Sequence, residues 1–165
     1  MNLLKKFDQY LTFLEKGFMG LGILITTGLV FSAVITRYFF NFSPPWIEEL
    51  TEDITLWIVF VGAALCIKKM EHVSVDIIFH FIPQRYGQRL MGALSILSGF
   101  FLGYFGYASY VLVENVKATQ QVSISMDWLP MYVVYLSAFA GSILMVLEFL
   151  KLGWRFLSGQ ETISK

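Results

Sequence analysis

Four stretches of this chain carry no charged residue, and their lengths decide what it can fold into. Gly17–Thr36 spans twenty residues, Leu90–Val113 twenty-four and Trp128–Leu147 twenty, each bounded by charges on both sides. A helix needs about 20 apolar residues to cross a hydrocarbon core of about 30 Å. The fourth gap, Ile54–Ile67, has only fourteen residues. Trp46 and Ile47 extend its apolar pattern backwards, and Pro44-Pro45 suit a helix start, so the predicted helix runs from about Pro45 to Ile67. Composition agrees: 15% of residues are charged and 56% apolar, against roughly 25% charged in a soluble domain. There is too little polar surface to cover a water-facing globule. The expected fold is an all-α membrane protein, one domain over residues 1–165, with spans at about 17–36, 46–67, 90–113 and 128–147.

Basic residues predict the orientation. Lys5, Lys6 and Lys16 in the N-terminal arm, Lys68, Lys69, Arg85 and Arg89 in the central loop, and Lys151, Arg155 and Lys165 in the tail put ten on one side. Only Arg37 and Lys117 fall on the other. By the positive-inside rule both termini and the 68–89 loop are cytoplasmic. A cleaved signal peptide fits the first span poorly, because its apolar region is too long and its leader carries Asp8 and Glu15. The arm, residues 1–16, is amphipathic at helical spacing and is expected to lie in the membrane interface before turning into the first span, the alternative being a simple extension of that helix. The 68–89 loop holds an apolar stretch, Ile77–Ile82, that ends at Pro83. The tail covers 148–165.

Several chemistries are excluded. Twelve basic and twelve acidic residues leave no field to attract nucleic acid. One cysteine, Cys66, and two histidines cannot furnish a four-ligand zinc site. There is no phosphate-binding glycine loop, no Ser-His-Asp spacing and no HExxH, so neither an enzyme nor a bound cofactor is expected. A haem anchor would place histidines within spans, whereas His72 and His80 both lie in the central loop.

Three features stand out. Small residues recur at four-residue spacing, as Gly28-Ser32-Thr36, Ser95-Gly99-Gly103 and Ser137-Gly141, which lets helix backbones approach closely in lipid, within the chain's own bundle or against a partner. Glu48, Glu49, Glu52 and Asp53 open the second helix within an arc of about 140°. They are either a solvated cap favoured by the helix dipole or charges at the bilayer edge beside a partner. The run Glu71-His72-Val73-Ser74-Val75-Asp76 could pair His72 with Asp76 if helical.

Arg37-Tyr38, Trp46-Ile47-Glu48-Glu49-Leu50, Trp57 to Ala63 and Glu71 to Asp76 together closely resemble the DctQ-like family, the small membrane subunits of tripartite ATP-independent periplasmic (TRAP) transporters. The resemblance covers essentially the whole chain and is weakest in the third span and at the termini. It implies a bacterial or archaeal inner-membrane protein serving a sodium-coupled importer of organic acids, such as sialic acids or C4-dicarboxylates. It further implies two partners, a large multi-span subunit carrying the substrate and sodium sites, and a periplasmic substrate-binding protein. The small subunit is then a scaffold, consistent with spans that hold no mid-membrane charge. The acids of the second helix continue on one arc into Leu56, Phe60, Ala63 and Ile67. The expected interface with the large subunit is therefore Arg37, Trp46, Glu48, Glu49, Glu52, Asp53, Trp57 and Phe60, with Arg37 available to neutralise an acid. Glu71, His72 and Asp76 form a cytoplasmic motif. The rival reading is a self-assembling cation channel in which the acids form a ring.

Overall fold

The computed structural model describes residues 2–69 and 84–157. Four helices account for most of them: α1 (Asn2–Phe40), α2 (Pro45–Lys69), α3 (Gln84–Ala118) and α4 (Met131–Leu157). At 1.5 Å per residue they measure about 58, 38, 52 and 40 Å, so each can cross a bilayer and extend beyond it. The described residues form no strand, only an isolated bridge between Val122 and Pro130.

Local chemistry explains the helix ends. Pro45 opens α2, where a missing N–H costs nothing, and Ile47 N–H donates to Pro44 O at 3.1 Å. Asn41, just after α1, takes a left-handed φ of 48°, a conformation asparagine tolerates better than most residues. Pro130 delays α4 to Met131, three residues past the start of its charge-free stretch. The N-terminal arm differs from its expected form. No turn separates it from the first span, because α1 is one helix through Lys16-Gly17. A lone glycine costs only about 1 kcal/mol within a helix, too little to break one with strong formers on both sides.

The helices assemble as two antiparallel hairpins. In the first, Gly22 of α1 meets Ile58 of α2, and Met19 meets Gly62. In the second, Gly106 of α3 meets Ser142 of α4, and Gly99 meets Phe149. The hairpins join through α2 and α4, which run parallel, with Phe60 against Gly141 and Lys68 beside Glu148. The core sits at this junction, where Ala64, Ile67 and Met145 are surrounded by Phe60, Ala63, Leu102, Leu144 and Phe149. The Phe60 ring also stacks on Phe105 of α3, with centroids 6.3 Å apart. Thus α2, α3 and α4 form a three-helix group, while α1 packs chiefly along α2 among the described residues.

The small-residue seams divide accordingly. Ser95 and Gly99 face α4, but Gly103 meets nothing within 4 Å and Gly106 takes its place. Four-residue steps rotate by about 40° each, so the third member of the row leaves the seam. Gly28 is likewise open, and the hydroxyls of Ser32 and Thr36 donate back to carbonyls of their own helix.

A Cβ at Gly141 would lie 2.5 Å from Phe60 Cβ and 3.1 Å from Phe60 O, which is backbone and cannot move aside. Gly141→Ala should therefore destabilise the α2–α4 junction by about 1–3 kcal/mol. Thermal unfolding in detergent should show a lowered midpoint for this variant, with Gly103→Ala unchanged or raised.

Candidate functional site

The acids that open α2 do not share one environment. At about 100° per residue, Glu49 and Asp53 lie on the side of α2 that carries Phe60 and faces α4, while Glu48 and Glu52 lie toward α1. Glu49 is fully engaged. One carboxylate oxygen accepts the N–H of Ile124 at 3.1 Å and the other accepts that of Ser125 at 2.9 Å. Hydrogen bonds to an ionised acceptor are the strong ones, so this residue ties α2 to the α3–α4 connection.

That connection is itself ordered by its backbone. Gln120 takes a φ of 50° after the end of α3. Ser123 N–H then donates to Leu129 O at 3.0 Å, and Met131 N–H donates to Gln121 O at 3.0 Å. The buried Ser123 hydroxyl accepts from Met126 N–H at 3.0 Å. These bonds leave the N–H groups of residues 124 and 125 pointing at Glu49 and the Ile124 side chain 98% exposed.

Asp53 lies one turn further along α2, is 9% exposed, and its Oδ2 has no hydrogen-bond partner among the described residues. Glu48 accepts a hydrogen bond from the Ser43 hydroxyl at 3.3 Å. Arg37, Ser43, Glu48 and Glu52 line the mouth of a cleft of about 290 Å³ between α1 and α2, floored by Val30, Val34 and Ile47. Arg37 forms no ion pair within 4 Å among the described residues.

Within this chain the apolar part of the arc packs against α4, with Ile67 buried and Phe60 and Ala63 partly buried. Trp57 packs edge-on against Phe18 of α1, with centroids 6.2 Å apart. Helical periodicity identified the face correctly but could not say that α4 would occupy it. Trp46, Leu56, Glu48, Glu52 and Arg37 remain accessible. The motif Glu71, His72 and Asp76 lies outside the described residues.

Sequence reasoning missed the opposite end of the α2–α4 pair. Glu148 of α4, only 8% exposed, accepts from Lys151 Nζ at 2.8 Å and lies 3.9 Å from Lys68 Nζ of α2. The Glu148–Lys151 spacing was legible as an i,i+3 pair. The cross-helix partner was not. Among the described residues no group of His, Cys, Asp and Glu is placed to hold a metal ion.

Comparison with known proteins gives this architecture a family. The model of the DctQ component of tripartite ATP-independent periplasmic transporters matches residues 26–159, from within α1 to just past the end of α4. The chain belongs to the DctQ family. It is similar to the C4-dicarboxylate TRAP transporter small permease protein DctQ of Vibrio cholerae, with 27% identity over 177 residues covering 93% of this chain and 73% of that one. A putative TRAP transporter small permease protein of Haemophilus influenzae is 35% identical over 63 residues, 38% of each chain. The sialic acid TRAP transporter permease protein SiaT of Haemophilus influenzae is 23% identical over 77 residues, 47% of this chain and 12% of SiaT. As a TRAP small permease, the protein is a multi-pass component of the bacterial inner membrane, and the family implies a large permease and a substrate-binding protein as its partners.

The Glu49 tether makes a specific prediction. In Glu49→Gln a neutral amide replaces the ionised acceptor, and hydrogen exchange at the amides of Ile124 and Ser125 should rise roughly tenfold. Glu48→Gln and Glu52→Gln should leave those amides at their parental rates.

Proposed function

We propose that this protein is the supporting subunit of a sodium-coupled TRAP importer of organic acids, holding the large permease in the bilayer and contributing no substrate or sodium ligand. The observation that carries this reading is α1. It packs on α2 along one face and leaves the opposite face, with Phe13, Leu24 and Phe31, exposed along the membrane. On that same face Gly17, Gly20 and Gly28 meet nothing within 4 Å. Apolar knobs interspersed with open glycines suit close approach by another helix in lipid. The match to a stretch amounting to 12% of SiaT supports the reading, because there a segment like this one is part of a much longer permease chain. The carboxylate substrates follow the printed descriptions of the relatives, sialic acid and C4-dicarboxylate.

The proposed contact surface is this open face of α1 together with the accessible Arg37, Trp46, Glu48 and Glu52. The channel reading loses its structural basis. A ring needs one of these acids from each copy to face a pore, whereas Glu49 is bound to the chain's own backbone, Asp53 is buried, and Glu48 and Glu52 lie toward α1.

Gly20→Leu and Gly28→Leu should each weaken co-purification with the large permease roughly tenfold, while the isolated chain melts as the parent does. In vesicles carrying the large permease, uptake should require this chain, and no substitution in it should change the coupling ion. A variant here that switched ion selectivity would refute the supporting role.

We also propose that the termini and residue 72 face the cytoplasm and the 41–44 and 119–130 connections the periplasm, from the ten-to-two distribution of basic residues. In a Cys66→Ala background, an impermeant thiol reagent should label cysteines placed at Ser43 and Ile124 from outside, and one at His72 only after permeabilisation. Ile124 is the better loop position because Ser123 is buried. Outside labelling at position 72 would invert the topology.

A further inference from the structure

We propose that the turn from α1 into α2 carries an aromatic collar that inserts at the lipid head-group boundary and holds the acid-bearing start of α2 within the bilayer. Tyr38, Phe39 and Phe40 end α1, Phe42 follows in the turn, and Trp46 stands at the start of α2. The first four side chains are 82, 73, 74 and 61% exposed, so the chain itself covers none of them. The Tyr38 and Phe39 rings meet edge-on with centroids 5.7 Å apart, which joins them into one apolar surface.

The level of the collar follows from the register of the helices. Gly22 of α1 meets Ile58 of α2, and Met19 meets Gly62. Continued outward, this antiparallel register places Tyr38–Phe40 about 6–9 Å beyond Trp46 along the helix axis. Side chains of a helix lean toward its N-terminus, so these rings fall back over the preceding turn, about 5 Å nearer the bilayer centre. Trp46 is itself level with the exposed Trp128, because Phe60 lies against Gly141 in the parallel α2–α4 pair. The collar therefore joins two exposed tryptophans at one level, and aromatic belts of this kind mark the membrane–water boundary. Behind it, Gly17–Thr36 carries no charge and Arg37 marks the edge.

The arrangement suits lipid and not a protein partner. Successive residues of a helix turn by about 100°, so Tyr38, Phe39 and Phe40 point in three directions around the axis. A neighbouring helix covers one side, whereas the head-group layer surrounds the whole helix end. What the collar holds is the start of α2. Glu48 and Glu52 are exposed and lie about 3 and 9 Å inward of Trp46. Carboxylates at that depth are drawn toward water. Moving them outward would carry the collar out as well, because only Asn41–Pro44 separate the two helices. That turn is fixed by Asn41 at a φ of 48° and by Ile47 N–H donating to Pro44 O. The inference is independent of the supporting role and of the membrane orientation, since it needs only the first hairpin.

The test uses the full-length chain in proteoliposomes, with and without the large permease, in a Cys66→Ala background. A fluorescent thiol label is placed in turn through Tyr38→Cys, Phe39→Cys and Phe40→Cys. It is quenched either by lipids carrying a nitroxide near the head group or by iodide on both sides of the membrane. All three labels should be quenched more strongly by the lipid nitroxide, with or without the large permease. In the triple variant Phe39→Ser/Phe40→Ser/Phe42→Ser, a cysteine placed at the exposed Thr55, about one turn inward of Glu52, should react with a polar thiol reagent roughly tenfold faster. The triple variant Phe39→Trp/Phe40→Trp/Phe42→Trp should keep the parental rate. Melting in detergent, where no bilayer sets a level, should be the same for the serine variant and the parent. Stronger quenching by iodide at the three positions would overturn the proposal, as would a parental rate at Thr55 in the serine variant. Protection of any one label on adding the large permease would also overturn it, since that side would then be a protein contact.

Discussion

In a bilayer the side chains of neighbouring helices gain little by leaving lipid for one another, so association depends on how closely backbones can approach. In this protein that approach is made by α4. Gly141 lies against the backbone of Phe60 on α2, and the adjacent Ser142, fully buried, lies against Gly106 of α3. Two consecutive small residues, about 100° apart on the helix, thus hold two different neighbours. The Ser142 hydroxyl donates to Phe139 O in its own helix, so no polar group is stranded at the contact. Everything else is arranged around this junction: the Ala64–Ile67–Met145 core fills it, and α1 hangs from the far side of α2.

The parallel α2–α4 pair is also fastened at both ends by charge. At one end Glu49 binds two backbone N–H groups of the connection that leads into α4. At the other, Glu148 on α4 sits between Lys68 on α2 and Lys151 on its own helix. Both acids lie near helix ends, and the stretch between them is mostly apolar apart from the buried Asp53, Ser137 and Ser142. These charge-assisted contacts at the two ends oppose sliding of one helix along the other. These fixed registers and the exposed outer flank of α1 are the features on which the proposed supporting role rests.

The family and the membrane were legible because both are written in local features. Charge-free stretches of fixed length state how many times a chain crosses, since no tertiary contact can make a buried lysine inexpensive in lipid. Pro45 marked the start of α2, and the Trp46–Leu50 and Glu71–Asp76 motifs carried the resemblance that the family match bears out. The arm was harder to read, because amphipathicity is compatible with either an interfacial helix or a continuation of α1, and only the continuous backbone separates the two. The acids of α2 were recognised as a group, yet their separate environments were not, and Glu148 passed as a span boundary.

What the sequence by itself determined is therefore the all-α membrane class, the four helices, the family and the charged rims. What only the tertiary structure decided is which helix covers which face. Periodicity assigns Phe60, Ala63 and Ile67 to one side of α2, but nothing in that period says whether α4, another subunit or lipid will lie there. The answer came from Gly141, a single missing Cβ some eighty residues away in the chain, where the two backbones close to contact. Likewise the partner of Glu49 is a pair of backbone N–H groups, whose direction is set by the folding of the 119–130 connection and not by the identity of Ile124 or Ser125.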